Sequence, residues 1–561
     1  MDTRRTGSSA LLLALACTGD KGLDTAVEDD DTEVAGETGD TGTDAPAWDP
    51  RFDPVAEAFQ AELDASGAPG VAVAIMEGGE IVFSAGFGSR DPELSADETP
   101  MEGSTLLRIG SVTKMITAAA TLTEVDSGAL SLEQPIVEVL PDLDFLLGES
   151  WAPAIELGHL LTHQGGFYDW TPLDYGESDT LLATIAYEVF DDYLWLMVDP
   201  GTFWNYSNAN YSLAGLVGQQ SSGQFYRDLV DTRVLDPLGM DRTVFLAEEV
   251  EADGDYASAM TTDWTGKTTQ IIRADPDTYD DGWSRPAGFA WSSAEEMLLF
   301  ADFLMKGDEA VLSAELQQAM TSPQIDTEQF LGLEHYGYGL IVNEGFFVGD
   351  QWFSDTLISH GGAIPGYSAS LYILPEQDLA MVILSNADAS YFGESVAASL
   401  LELADLSEAT IPEFWPDFTN FDEYTGSYAD PWNVGDFVVT TDGSALQVSM
   451  PDLDALDIPY DTELVPYVQD NFLFNCNGAQ LLITFIRDDS GEVTHWRNRY
   501  FVGERVDEEE DSGESEEEST EVPLPLRPTS PVSRGVEGLM QRLLWHEPIP
   551  AMILRAAKSR N

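Results

Sequence analysis

Ser111 and Lys114 stand three residues apart in Arg108-Ile109-Gly110-Ser111-Val112-Thr113-Lys114. If that stretch opens a helix, the two side chains share one face. The N-terminal end of a helix favours negative charge developing on the serine oxygen. A neighbouring amine, once desolvated and stripped of a proton, can accept the proton of the hydroxyl. The pair therefore suits a serine that attacks a carbonyl. The spacing alone is weak, and the plain alternative is a surface lysine on an amphipathic helix. Lysine is scarce here, however. Only Lys21, Lys114, Lys267, Lys306 and Lys558 occur, and none of the other four follows a serine at this distance. Elsewhere, Asp275-Pro276-Asp277 with Asp280-Asp281-Gly282 misses the spacing of a calcium loop and reads as solvated loop. No Gly-rich phosphate loop precedes a helix, so no nucleotide site is expected.

The elements that must position such a pair are legible from periodicity. Val55, Phe59 and Leu63 recur at helical spacing, and Gly67 follows as a stop. Gly70 to Met76 and Ile81 to Phe87 are apolar runs around Glu77-Gly78-Gly79-Glu80, a hairpin signal. Arg108 to Val125 predicts a helix ending near Gly128, with Met115, Ile116, Ala119 and Leu122 as its buried face. Residues 150–330 are helical patches split by Asp- and Gly-rich loops, with a capping box at Ser293 and Glu296. Residues 336–386 predict three or more strands. Among them, Ser368 to Leu374 and Leu379 to Asn386 are joined by a turn at Pro375-Glu376-Gln377-Asp378, and Ser395 to Leu403 closes the unit as a helix. Helices around a mainly antiparallel sheet make an α+β fold with a helical subdomain. Short alternating runs such as Asp436 to Thr441, Leu446 to Met450 and Leu481 to Phe485 predict a small β-barrel-like domain over 412–506.

The segment Ile109 to Lys114 resembles the first active-site motif of the serine β-lactamase and penicillin-binding-protein superfamily, above all the class C β-lactamases, D-alanyl-D-alanine carboxypeptidases and related esterases. The second motif of that family, Tyr-x-Asn, has its counterpart in Tyr206-Ser207-Asn208, and the third in His360-Gly361-Gly362. A further family segment stands as His159-Leu160-Leu161-Thr162-His163, continued by Gly165-Gly166 where a Ser-Gly pair is usual. The resemblance covers roughly 50–405. It implies Ser111 as nucleophile, with Lys114 and Tyr206 moving its proton. A phenol needs a nearby cation to act as base, and Lys114 can supply one. The resemblance further implies Asn208 as holder of Lys114 and of a substrate amide. The backbone N–H groups of Ser111 and Ala363 become the oxyanion hole, a device in which each donor typically contributes ~3 kcal/mol. Gly362 and His360 are then substrate-binding, His360 as a donor that is charged only when protonated. His159 and His163 have a metal-ligand spacing on a helix. Their apolar neighbours and the resemblance favour a structural, hydrogen-bonded pair, so neither a metal nor an organic cofactor is expected.

Composition bounds the rest. The chain has 561 residues, 43% hydrophobic and 10% aromatic, enough to bury a substantial core. Asp and Glu total 101 against 24 Lys and Arg, a formal charge of −77. Such a surface repels nucleic acid and anionic membranes. Arg4 and Arg5 before the apolar run Ala10 to Ala16 predict a signal peptide over 1–16, and Ala14-Leu15-Ala16-Cys17 resembles a lipoprotein cleavage box. The expectation is an exported protein, lipid-anchored through Cys17 in the periplasm or on the cell surface, with cleavage after Ala16 and no lipid as the alternative. Residues 17–48 predict an acidic disordered tether, 49–411 the hydrolase domain, 507–521 an acidic linker and 522–561 a basic tail. Cys476 is expected to be a core thiol. The expected substrate is a small molecule or peptide, peptidoglycan fragments included, bearing an ester, D-amino-acid amide or lactam carbonyl. β-Lactamase or D-alanyl-D-alanine carboxypeptidase activity proper, and a sensor that is acylated with little turnover, are the alternatives.

Overall fold

The computed structural model describes residues 48–145, 152–169, 176–190, 194–262, 271–278, 280–330, 332–348, 351–410, 420–431 and 433–506. The signal peptide, Cys17, the tether but for Trp48, the acidic linker and the basic tail lie outside them. Among the described residues no helix is long and apolar enough to cross a membrane.

The helix Asp53–Ser66 buries Val55, Phe59 and Leu63 and ends at Gly67 in the left-handed conformation. The hairpin β1 (Gly70–Glu77) and β2 (Glu80–Gly88) follows. The short strand β3 (Leu107–Arg108) leads to the Ser111 segment, and a subdomain adds the ribbon β4 (Ala259–Thr262) and β5 (Ile271–Ala274) and the strand β6 (Trp291–Ser292). The main sheet is completed by β7 (Ile325–Asp326), β8 (Glu334–Tyr336), β9 (Ile341–Val348), β10 (Gln351–Ile364), β11 (Tyr367–Leu374) and β12 (Leu379–Ser385). Its order is β2-β1-β12-β11-β10-β9-β8-β7, and its pairs are antiparallel. Strands β11 and β12 are buried on both faces, as continuous apolar runs require. The helices Asp53–Ser66 and Gly393–Leu403 pack with one face of the sheet, and a separate core holds the helical subdomain.

Three expectations need correction. The helix begins at Thr113, not Arg108. Leu107 and Arg108 are strand, paired with Ser292 and Trp291, and Gly110 at φ +51 turns the chain out of it. The 280–282 loop is not solvated. Asp281 is fully buried, accepts from Trp283 N at 3.0 Å, and lies beside Asp280, which pairs with Arg285. Burial pushes the Asp281 carboxyl up to about 8, against the opposing pull of the Trp283 hydrogen bond. The folded chain therefore keeps a proton that the unfolded chain releases near pH 4. That contribution to stability is complete below the unfolded value and is lost as pH rises through about 8. Asp281→Asn, which keeps the shape and an acceptor, is expected to gain on the order of 2 kcal/mol over the parent at pH 9 and much less at pH 5. Urea unfolding at both pH values checks this. The capping box is half formed. Ser293 accepts from Glu296 N, but the Glu296 carboxylate instead takes Arg242 N and Thr243 Oγ1.

The C-terminal unit is a closed eight-stranded barrel, β13 (Gly426–Ala429), β14 (Phe437–Thr441), β15 (Leu446–Ser449), β16 (Glu463–Val468), β17 (Asn471–Cys476), β18 (Ala479–Arg487), β19 (Val493–Asn498) and β20 (Phe501–Val506). Closure leaves no sheet edge exposed. Aromatic rings fill it, with Trp496 against Phe437, Phe474 and Phe485. Cys476 is buried there, and burial pushes its thiol up to about 12. The barrel docks on the hydrolase domain through Phe203, Ile486 and Val502 and through Arg497. Arg497 is fully buried and donates to the carbonyls of Trp204 and Thr327.

Candidate active site

Ser111 sits in a single 3₁₀ turn, Gly110–Val112, that runs into the helix Thr113–Asp126. That helix is buried on every side from Thr113 to Glu124, as expected of a central element rather than an amphipathic one. Lys114, in its first turn, is fully buried. Its Nζ lies 3.0 Å from Ser111 Oγ, 2.6 Å from Asn208 Oδ1 and 2.6 Å from the Ala287 carbonyl. A buried lysine survives only with such partners. The plain alternative, a solvated surface lysine, is excluded.

Asn208 opens the helix Asn208–Ser222. Its backbone N and its Nδ2 both donate to Asp169 Oδ1, at 2.9 and 3.1 Å. A carboxylate at a helix N-terminus is favourably placed. The side-chain bond also fixes the amide flip, so that Oδ1 must face Lys114. Ser207 is tied to the same stretch, donating through Oγ to Tyr168 O at 2.9 Å and through N to His163 Nδ1 at 3.3 Å. The Tyr206 ring, 5% exposed, lies with its centroid 4.9 Å from Lys114 Nζ. His163 packs on it at 4.2 Å and the Arg499 guanidinium at 4.4 Å.

The third motif ends β10 beside Ser111. A Cβ added at Gly110 would meet Ala363 N at 2.6 Å, and one added at Gly362 would meet Ile109 O at 2.1 Å. Both positions therefore need glycine for the strand end and the Ser111 turn to touch. That contact brings the Ala363 amide to the Ser111 turn. His360 is buried, with Nδ1 2.6 Å from Gly361 O and Nε2 3.2 Å from Tyr336 Oη. A carbonyl only accepts, so Nδ1 carries the proton and Nε2 takes the tyrosine's. Burial first, and Lys114 second, hold its pKa down to about 3. The expected charge on His360 is thus absent near neutral pH.

His159 and His163 do not form a pair. The helix Leu157–Leu161 stops before His163, which turns away at φ +58. His159 Nδ1 accepts from Glu156 N at 3.2 Å, and its ring covers Gly201. His163 is fully buried, and burial with Lys114 nearby holds it neutral, well below the usual histidine range. Among the described residues no cluster of His, Cys, Asp and Glu is arranged to hold a metal ion.

Sequence reasoning missed four participants: Asp169, the Ala287 carbonyl, Tyr336 and Arg499. Arg499 had a usable signal. In a chain with 24 Lys and Arg against 101 Asp and Glu, the closely spaced Arg497 and Arg499 of an otherwise ordinary β-ribbon are conspicuous.

The family model for Beta-lactamase matches residues 55–405. The chain is 26% identical over 351 residues to a D-aminopeptidase of Gluconobacter oxydans, covering 59% of this chain and 60% of that protein. It thus spans less than two thirds of that relative's length. It is 32% identical over 193 residues to the esterase EstB of Burkholderia gladioli, covering 32% of this chain and 48% of that one. A solved structure of SurE superposes with a TM-score of 0.60 at 21% identity, over 81% of this chain and 99% of the other, which establishes a shared fold. With a match running from the first helix to the last helix of the main-sheet unit, this chain belongs to the beta-lactamase family and is a hydrolase of that family.

Proposed function

We propose that the chain is a serine hydrolase that opens an ester, a D-amino-acid amide or a lactam through an acyl-enzyme on Ser111. One observation carries this. Two acceptors that cannot donate, Asn208 Oδ1 and Ala287 O, lie 2.6 Å from Lys114 Nζ. A neutral amine has two N–H bonds and one lone pair. When Lys114 is neutral and gives both N–H bonds to these acceptors, its lone pair is left for Ser111 Oγ, 3.0 Å away.

The steps follow. Ser111 Oγ bonds to the substrate carbonyl carbon as its proton passes to Lys114 Nζ. The carbonyl π electrons move to oxygen, held by the amides of Ser111 and Ala363. Collapse restores the carbonyl and breaks the bond to the leaving oxygen or nitrogen, which takes the proton by way of Lys114 or Tyr206. Water then adds to the acyl carbon, giving its proton to the same pair. The second collapse releases the carboxylic acid and returns the proton to Ser111. The enzyme supplies no electrons and needs no further reactant.

The ester and D-amino-acid classes are supported by the names of the relatives, and a neutral His360 suits them. It offers no cation for a β-lactam carboxylate. The test uses a fluorophosphonate probe and a penicillin with intact-mass detection, alongside nitrophenyl esters, D-alanyl peptides and cephalosporins as substrates. One adduct per chain is expected, absent in Ser111→Ala, with turnover of esters or D-amino-acid amides exceeding that of cephalosporins. Adducts that persist in Ser111→Ala would overturn the proposal.

A further inference from the structure

The C-terminal barrel sends one charged group into the hydrolase site. Arg499 lies in the turn between β19 and β20. Its Nε is 2.6 Å from Asp169 Oδ2, and its backbone carbonyl accepts from Asp169 N at 3.1 Å. Both ends of Asp169 are therefore held by one barrel residue. The other carboxylate oxygen, Oδ1, holds both nitrogens of Asn208. Asn208 Oδ1 in turn holds Lys114, which faces Ser111. The chain of contacts runs Arg499–Asp169–Asn208–Lys114–Ser111 without a gap longer than 3.1 Å. The guanidinium also lies 4.4 Å from the centre of the Tyr206 ring. A cation over an aromatic face is attracted to it, more so where water is scarce.

Exposed ion pairs contribute little. This one is different at one end. The Asp169 side chain is 8% exposed and takes the two Asn208 donors as well as the Arg499 charge, while Arg499 itself is 31% exposed. Without the guanidinium, a nearly buried carboxylate keeps the Asn208 amides but loses the group that fixes its second oxygen. Rotation of that carboxylate frees the Asn208 amide, and the aim of Lys114 goes with it.

Resting on the serine mechanism above, we infer that Arg499 is a positioning residue of the active site, supplied by the barrel: it fixes Asp169 and Asn208, and through them the amine that activates Ser111. The barrel is then part of the catalytic unit and not an appendage.

The test uses the full chain with Arg499→Gln, Arg499→Lys, Asp169→Asn and the double variant Arg499→Gln/Asp169→Asn. The readouts are kcat and KM for a nitrophenyl ester, the rate of fluorophosphonate labelling, and Tm. Arg499→Gln is expected to lower kcat and the labelling rate about 10- to 50-fold with KM nearly unchanged, since misplacement of a reacting group is felt mainly in the rate. Arg499→Lys should recover part of the loss. The double variant should be no slower than the slower single variant, because both changes cut one connected path. Three results would overturn the inference: a change confined to KM, which would make Arg499 a substrate contact; losses that multiply in the double variant; or a rate loss that follows Tm across the set. If the parent chain is not labelled at Ser111, the serine mechanism fails and this inference with it. If the parent is labelled and Arg499→Gln reacts at the same rate, the inference alone fails.

Discussion

Lys114→Met is expected to slow acylation of Ser111 by about 10³- to 10⁴-fold while leaving a folded protein. Methionine approximates the length of the lysine stem, so the buried channel along the helix Thr113–Asp126 stays filled. What disappears is the proton acceptor 3.0 Å from Ser111 Oγ. Two carbonyl oxygens, Asn208 Oδ1 and Ala287 O, also lose their donor, at a cost of about 1–3 kcal/mol each where no water replaces it. The variant should therefore melt earlier than the parent but as a single transition. Labelling rates measured well below that transition separate the two effects. A labelling rate within threefold of the parent would remove Lys114 from the chemistry and leave it a structural role. Ser111→Ala, by contrast, removes the nucleophile without disturbing Lys114's other two partners, and its Tm should stay close to that of the parent.

The local pattern around Ser111 was enough to nominate the pair, and periodicity was enough for the first helix and for the hairpin of β11 and β12. Val55, Phe59 and Leu63 fall on one helical face in the structure, and the 375–378 turn joins two fully buried strands. These features depend on near neighbours in sequence. Tyr206, Asn208, His360 and Ala363 were legible only by resemblance, since nothing in their own surroundings sets them apart. The charge state of His360 was not legible at all. It depends on burial that only the packed sheet creates and on the charge of Lys114, distant in sequence. Asp169 was invisible for the same reason, and the sequence signal of Arg499 did not say what it would meet. They are 330 residues apart in sequence and meet only because the barrel docks. The misplaced helix start at Arg108 has a local cause. Apolar periodicity cannot distinguish a short buried strand from a first helical turn. What decides is Gly110, whose positive φ breaks the run.

Arg497→Met is expected to destabilise the chain by about 3–5 kcal/mol, the typical cost of breaking a buried ion pair at one partner. Arg497 is 2% exposed, and desolvation pulls even its guanidinium down to about 10. It donates to the Trp204 and Thr327 carbonyls, lies 3.8 Å from Glu328 Oε2, and sits over the Trp204 ring at 5.3 Å. Asn471 Nδ2, donating to Glu328 O at 3.0 Å, ties the same junction to the barrel. Burial pushes Glu334 up to about 7 and Glu328 upward as well, and in both cases Arg497 is the cation that opposes the shift. Removing it raises both carboxyls further in the folded state. A carboxyl with a raised folded pKa contributes stability that is complete below its unfolded value, near pH 4, and is lost as pH rises through the folded value. The penalty of Arg497→Met should therefore be smallest at pH 5, where Glu328 and Glu334 can go neutral, and should grow toward pH 8. Urea unfolding of parent and variant at both pH values measures it. A penalty equal at pH 5 and pH 8 would mean that lost hydrogen bonds and packing account for the whole effect, with no uncompensated charge at the junction. The contrast with Arg499→Gln is then sharp. Two arginines two residues apart on one β-ribbon would divide the work, one holding the barrel on the hydrolase domain and the other holding the amine on the serine.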